Sequence, residues 1–128
     1  MQPAHLCELA IAARGRAYAP YSKFQVGAAL LSNRGEVFVG CNVENAVYGL
    51  SICAERVAVA KAVTESVREF RAIAIAASPL AFPCGSCRQF LCEFSPSLEI
   101  ILCGAERPDE FQVYSLADLL PHQFKLQH

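Results

Sequence analysis

The sequence predicts an α/β fold: a three-layer α/β/α sandwich in which a mixed five-stranded sheet carries helices on both faces. Three observations lead there. Two short strand-like stretches flank an Asn-Arg-Gly turn in the first half. Strand-like and helix-like stretches then alternate through the second half. The later strands are also unbroken apolar runs, the pattern of strands covered on both sides rather than one.

In chain order, residues 3 to 16 place Leu6, Leu9, Ala10 and Ala13 on one helical face. Ala19-Pro20-Tyr21 ends that helix. Phe24 to Leu31 and Val37 to Asn42 read as strands joined through Asn33-Arg34-Gly35, an antiparallel hairpin. Val43 to Ile52 is mixed in polarity and reads as a loop. Cys53 to Val63 is rich in strong helix formers. Ala72 to Ala77 suits a buried strand, and a loop with Pro79 and Pro83 follows it. Cys87, Phe90, Leu91 and Phe94 then share one helical face. Leu98 to Cys103 is a second buried-type strand, Gly104 to Glu110 a polar loop, and Phe111 to Tyr114 a last short strand. Ser115 is placed to cap a short final helix, with Asp118 three positions on. Strands separated by a helix pair in parallel through right-handed crossovers. The 128 residues fit one domain, 1–128.

Composition narrows the function. Hydrophobic residues make up 54% and charged residues 18% of the chain, more apolar than an ordinary soluble domain of this size, which points to a buried subunit interface. The longest apolar run, Ala72 to Ala77, falls far short of the roughly 18 residues of a membrane span. No signal-like apolar stretch opens the chain, so a soluble cytoplasmic protein is expected. The net charge is −1 and no basic run occurs, which argues against a nucleic-acid partner and for a small, nearly neutral one.

Seven cysteines and three histidines bound the metal chemistry. An odd thiol count without a secretory signal favours reduced cysteines over a disulfide framework. Cys7, Cys92 and Cys103 are expected to be packing residues. His5, His122 and His128 lie near the termini, so a central metal site must rely on sulfur. Cys84-Gly-Ser-Cys87 alone is compatible with two core thiols, a redox pair or half a zinc site. The redox reading leaves Cys53-Ala54-Glu55 without a role. A structural zinc wants four closed ligands, whereas Cys53, Cys84 and Cys87 are three, the number typical of a catalytic zinc with an open position. Both thiol motifs open a helix, where free N–H groups and the helix dipole stabilise thiolate. Arg56 and Arg88 follow their motifs by one residue and are placed to donate hydrogen bonds to the sulfurs, withdrawing charge from them.

Cys53-Ala54-Glu55 and Pro83-Cys84-Gly85-Ser86-Cys87 resemble the zinc deaminase pattern of a ligand, an acid two places on, and a later Pro-Cys-x-x-Cys. With cysteine in place of the first-ligand histidine, the set resembles the small free-nucleoside cytidine deaminases. Tyr18-Ala19-Pro20-Tyr21-Ser22, the stretch from Phe24 to Leu30, Gly40-Cys41-Asn42-Val43-Glu44-Asn45-Ala46 and Leu119-Leu120-Pro121 with Phe124 extend the resemblance from about residue 18 to 124.

The resemblance implies one zinc ion per subunit on Cys53, Cys84 and Cys87, and water activated there to attack cytosine C4. Glu55 would carry protons to N3 and then to the leaving amine. It further implies that Asn42 and Glu44 bind the ribose hydroxyls and that Phe24 packs on the base. Backbone groups of Ala54 and Ser86 would hold the base edge. Ala46, Tyr48 and Phe124 would be lent to neighbouring sites in a homotetramer. The expected products are uridine and deoxyuridine, in pyrimidine salvage. Two departures stand out: a short loop before Pro83 and a tail of four residues after Phe124. A deaminase of modified cytosine nucleosides and a non-catalytic zinc module are the competing readings. The first would lose the Asn42/Glu44 pair, and the second would need a fourth ligand and be indifferent to Glu55.

Overall fold

In the computed structural model, which describes residues 1–126, five strands form a single mixed sheet. The elements are α1 (Pro3–Arg14), β1 (Gly27–Ser32), β2 (Val37–Cys41), a 3-10 turn (Tyr48–Leu50), α2 (Ala54–Thr64), β3 (Phe70–Ala77), α3 (Gly85–Cys92), β4 (Glu99–Gly104), β5 (Arg107–Ser115) and α4 (Leu116–Leu119). The strand order is β2-β1-β3-β4-β5. β3 and β4 run parallel through the α3 crossover, and the remaining pairs are antiparallel. The predicted α/β/α sandwich with its mixed five-stranded sheet is therefore present.

The two faces bury different side chains because strand residues alternate. On one face α1 sets Leu6, Cys7 and Ala10 against Ala29, Leu31, Ala74 and Ile101. On the other, α2 and α3 set Ala58, Val59 and Leu91 against Leu30, Ile73, Ile75 and Ile100. β1 is buried along its whole length, as a two-sided strand must be, whereas edge strand β2 alternates. Each fully buried Leu or Ile contributes about 2 kcal/mol of transfer free energy.

Close approach requires glycine at Gly40. A Cβ there would lie 2.6 Å from the Ala54 carbonyl oxygen and 2.7 Å from the Ala58 nitrogen. The start of α2 therefore rests directly on the β2 backbone. Among the described residues no helix is long and apolar enough to cross a membrane.

Three expectations need correction. The strand placed from Phe24 begins only at Gly27, because the backbone of Phe24 and Val26 is taken up by the Asn42 side chain instead of a ladder. The loop placed over 104–110 is largely strand: β5 starts at Arg107 and pairs Gly104 with Arg107 in a tight hairpin. Its polar residues belong to an edge strand that is exposed or half-buried along its whole length, so charge did not mark a loop. Ser115 stands at the N-cap of α4 but makes no side-chain capping bond.

The cysteines are corrected in part. Cys92 is a buried packing residue of the α2/α3 face. Cys7 and Cys103 also pack, fully buried, but as a disulfide between α1 and β4 with Cα atoms 5.8 Å apart. Their 96-residue separation hid the juxtaposition; α1 returns over the sheet so that Cys7 meets the strand end carrying Cys103.

Candidate active site

Two helix N-termini converge at one end of the sheet. Cys53 is the N-cap of α2 and Cys84 the N-cap of α3, both in extended conformation. Their carbonyls accept the first helical hydrogen bonds, from Arg56 and Val57 and from Arg88 respectively. Capping in this way turns both thiols to the mouth of their helices, where unpaired N–H groups gather. Cys87, one turn into α3, is fully buried and joins them. The three Sγ atoms lie within 4.8 Å of one another, and those of Cys84 and Cys87 are 3.4 Å apart. Zn–S bonds of about 2.3 Å in tetrahedral array need sulfurs about 3.8 Å apart, so the donor set fits zinc.

Charge at the site follows from its surroundings. The Cys53 thiol is pulled down to about 6 by the hydrogen bond from Cys87; burial opposes this, and Cys84 and Arg56 assist. Cys87 is raised in turn, because it holds the proton shared with Cys53 and because it is buried. Cys53 is thus already disposed to carry negative charge, as a cation site requires, while Cys87 keeps the shared proton.

Glu55, the second residue of α2, is only 4% exposed. Burial lifts its carboxyl to about 7, with the neighbouring Cys53 charge adding to the rise. A carboxyl poised there can give or take a proton near neutrality. Residues two apart on a helix do not share a face. Cys53 and Glu55 nevertheless border one cavity, because it lies beyond the helix end.

That cavity has a volume of about 270 Å³, just below the roughly 300–1,000 Å³ typical of ligand pockets. The buried Ala54 and Glu55 form its floor, beside Cys53 and the exposed Cys84; Phe24, Val26, Ile75 and Phe82 are its apolar lining, and Ser22, Asn42 and Glu44 its polar rim. Asn42 accepts from the Val26 N–H at 2.9 Å and donates to the Phe24 carbonyl at 2.8 Å. Glu44 accepts from the Tyr21 and Ser22 N–H groups at 2.9 and 3.1 Å and from the Ser22 hydroxyl. The Ser22 hydroxyl is the first cause of a Glu44 carboxyl held below its ordinary value of 4.5. Two main-chain bonds hold the rim segment itself, Tyr18 N–H to Asn42 and Glu44 N–H to Tyr18.

The structure thus gathers Cys53, Cys84, Cys87, Glu55, Phe24, Asn42, Glu44 and Ala54 at one cavity. As first residue of α2, Ala54 has an N–H without an intrahelical acceptor. Ser86, exposed on the first turn of α3, does not line the cavity. Ala46, Tyr48 and Phe124 are exposed and outside it, Tyr48 lining an adjoining hollow with Tyr21, Ser22 and Glu44.

The arginines do not make the hydrogen bonds to sulfur that were expected of them. Arg88 donates to the carbonyls of Pro83 and Leu119, both at 2.8 Å, and so braces the backbone entering Cys84. Arg56 lies over the Phe90 ring at 5.8 Å and reaches Cys53 through its charge alone. Sequence reasoning did not single out Ser22 or Phe82. For Phe82, an aromatic residue stranded in a proline-rich loop was an available signal; for Ser22 there was none beyond its place in the Tyr-Ser motif.

An acid shielded from water beside convergent thiolates is the equipment of a zinc-dependent hydrolytic enzyme. The family described as "Cytidine and deoxycytidylate deaminase zinc-binding region" matches residues 2–103. A cytidine deaminase of Halalkalibacterium halodurans is 47% identical over 122 residues, 93% of this chain and 91% of that protein. One from Sporosarcina psychrophila is 45% identical over 116 residues, covering 88% and 83% respectively. The crystal structure of cytidine deaminase from Burkholderia pseudomallei superposes with a TM-score of 0.91 at 49% identity, covering 97% of this chain and all of that one. The chain belongs to the cytidine deaminase family.

Proposed function

We propose that the protein hydrolyses cytidine and deoxycytidine to uridine and deoxyuridine, releasing ammonia. The observation that carries this reading is Glu55, shut away from solvent at the floor of a nucleoside-scale cavity and bordered by the three thiols. Cys53, Cys84 and Cys87 would hold zinc, whose Lewis acidity makes water a competent nucleophile near neutral pH.

The chain supplies the remaining steps. Glu55 accepts the proton of the attacking water and passes it to N3 of the base. It then takes the proton of the hydroxyl newly bonded to C4 and delivers it to the amino group, which departs as ammonia and leaves the C4 carbonyl. A carboxyl lifted to about 7 is suited to both acid and base roles in one turnover. Phe24 packs on the base, the Ala54 N–H meets its edge, and Asn42 and Glu44 take the sugar hydroxyls. Their inward bonds to the backbone leave each with unused hydrogen-bonding capacity at the rim. A carboxylate at that rim repels a phosphate, so nucleosides are favoured over nucleotides.

A homotetramer accounts for the exposed residues. Val47, Tyr48, Leu50 and Phe124 are 61 to 76% exposed, and the hollow that Tyr48 lines shares Ser22 and Glu44 with the cavity. A neighbouring copy seated there would bury apolar surface and lend Ala46, Tyr48 or Phe124 to the sugar end. The near-neutral charge supports a small nucleoside rather than a nucleic-acid partner, and the proposed setting is cytoplasmic pyrimidine salvage.

Zinc analysis combined with an absorbance assay on cytidine, deoxycytidine and cytidine monophosphate tests the reading. One zinc per chain and turnover of both nucleosides, but not the nucleotide, are expected. Purified native protein without zinc, or zinc-loaded protein inert towards both nucleosides, would end it.

A further inference from the structure

Phe82 is an apolar residue left 48% exposed, yet it is not loose. Its ring centroid lies 5.0 Å from that of Tyr114, with the planes tilted by 58°. Tyr114 sits on β5 opposite Ile100 of β4, and its hydroxyl donates to Gln112 at 2.7 Å. Pro83 follows, and a residue before proline is confined to extended backbone. A side chain on a crossover loop is thereby braced by an edge strand on one side while it lines the cavity on the other. Aromatic pairing of this kind favours one ring placement over free rotation.

Its position in the chain is equally specific. Phe82 lies two residues before Cys84 on the same loop and lines the cavity with it, within reach of the thiol end where C4 must sit. Three groups adjoin the reacting C4 of a cytosine: N3, C5 and the exocyclic N4. If Glu55 on α2 serves N3 and the N3-facing side of N4, then C5 and a substituent on the C5-facing side of N4 are turned to the other wall, the β3–α3 loop.

We propose that Phe82, braced by Tyr114, is a specificity-determining residue that bars substituents on C5 or N4 of the cytosine ring. This rests on the deaminase reading above. A cavity of about 270 Å³ leaves little room to shift a substituted ring. Exclusion of one methyl group by a shaped apolar wall discriminates by about 10–200-fold.

The test measures kcat/KM for cytidine, 5-methylcytidine and N4-methylcytidine with the zinc-loaded full chain. Wild type, Phe82→Ala, Phe82→Leu and Tyr114→Leu are compared, with zinc content as the check on folding. The wild type should prefer cytidine over both methylated substrates. Phe82→Ala should narrow that preference, for at least one of them, by about tenfold or more. Phe82→Leu should fall between, and Tyr114→Leu should move the same way by less. Should the alanine variant lose zinc, the leucine variant decides. Unchanged preferences in zinc-replete variants that still turn over cytidine overturn the inference while leaving the deaminase reading intact. A zinc-loaded wild type inert on cytidine overturns both.

Discussion

The Sγ atoms of Cys84 and Cys87 stand 3.4 Å apart across the first turn of α3, the former exposed at the N-cap and the latter fully buried. One sulfur is reachable from solvent and the other is anchored in the core, so each should fail differently when removed. Cys84→Ala is expected to lose zinc while keeping the sheet, because little packing disappears with an exposed side chain. Cys87→Ala should lose zinc and stability together. Zinc stoichiometry with thermal melts separates the two, and a full zinc complement in Cys84→Ala would contradict its role as a ligand.

Glu55 invites a sharper dissection. Glutamine keeps its size and hydrogen-bonding edge but cannot take up or release a proton near neutral pH. Glu55→Gln should therefore bind zinc normally and lose at least about 10²-fold in kcat, the lower range for general acid–base catalysis. Equal turnover by Glu55→Gln and the wild type would remove the proton carrier from the mechanism.

Much of this site was legible in the sequence, and the reason is local. Cys53, Glu55, Cys84 and Cys87 each lie at a helix start, and helix starts are set by neighbours in the chain. The buried strands β3 and β4 were legible because unbroken apolar runs have few other uses. What failed was non-local. β5 exists because β4 offers it a partner, not because Arg107-Pro108-Asp109-Glu110 favours extension. Cys7 meets Cys103 only once α1 has docked on the sheet. Arg88 turns to carbonyls of Pro83 and Leu119, groups whose proximity no spacing rule conveys.

The bond between Ser22 and Glu44 carries a pH consequence. Because the folded carboxyl is held below 4.5, its stabilising contribution is fully present above 4.5 and disappears as pH falls through the lower folded value. Removing the hydroxyl with Ser22→Ala should raise the Glu44 midpoint towards 4.5. It should also raise KM for cytidine more than it lowers kcat, since the polar rim binds sugar and not the reacting carbon. Side-chain carboxyl NMR titration checks the first expectation and steady-state kinetics the second. Identical midpoints in the two proteins would show that Ser22 does not govern the charge of Glu44.

Gly40 offers a test of how the fold holds the chemistry, because it lies outside the cavity yet directly beneath α2. A methyl group there meets backbone on two sides, the Ala54 carbonyl oxygen at 2.6 Å and the Ala58 nitrogen at 2.7 Å, and neither can rotate away. Relief requires the N-terminal turn of α2 to lift from β2. Such overpacking costs about 1–3 kcal/mol. Because that turn carries Cys53 and Glu55, the cost should not be confined to stability. Gly40→Ala is expected to melt earlier, bind zinc more weakly and lose kcat, although no group that touches substrate has changed. Gly49, where a Cβ would meet nothing within 4 Å, is the control site: Gly49→Ala should leave zinc affinity as it is. If Gly40→Ala matches the wild type in melting temperature and zinc affinity, then α2 is not held on β2 by this contact, and the geometry of the thiol site must be secured elsewhere.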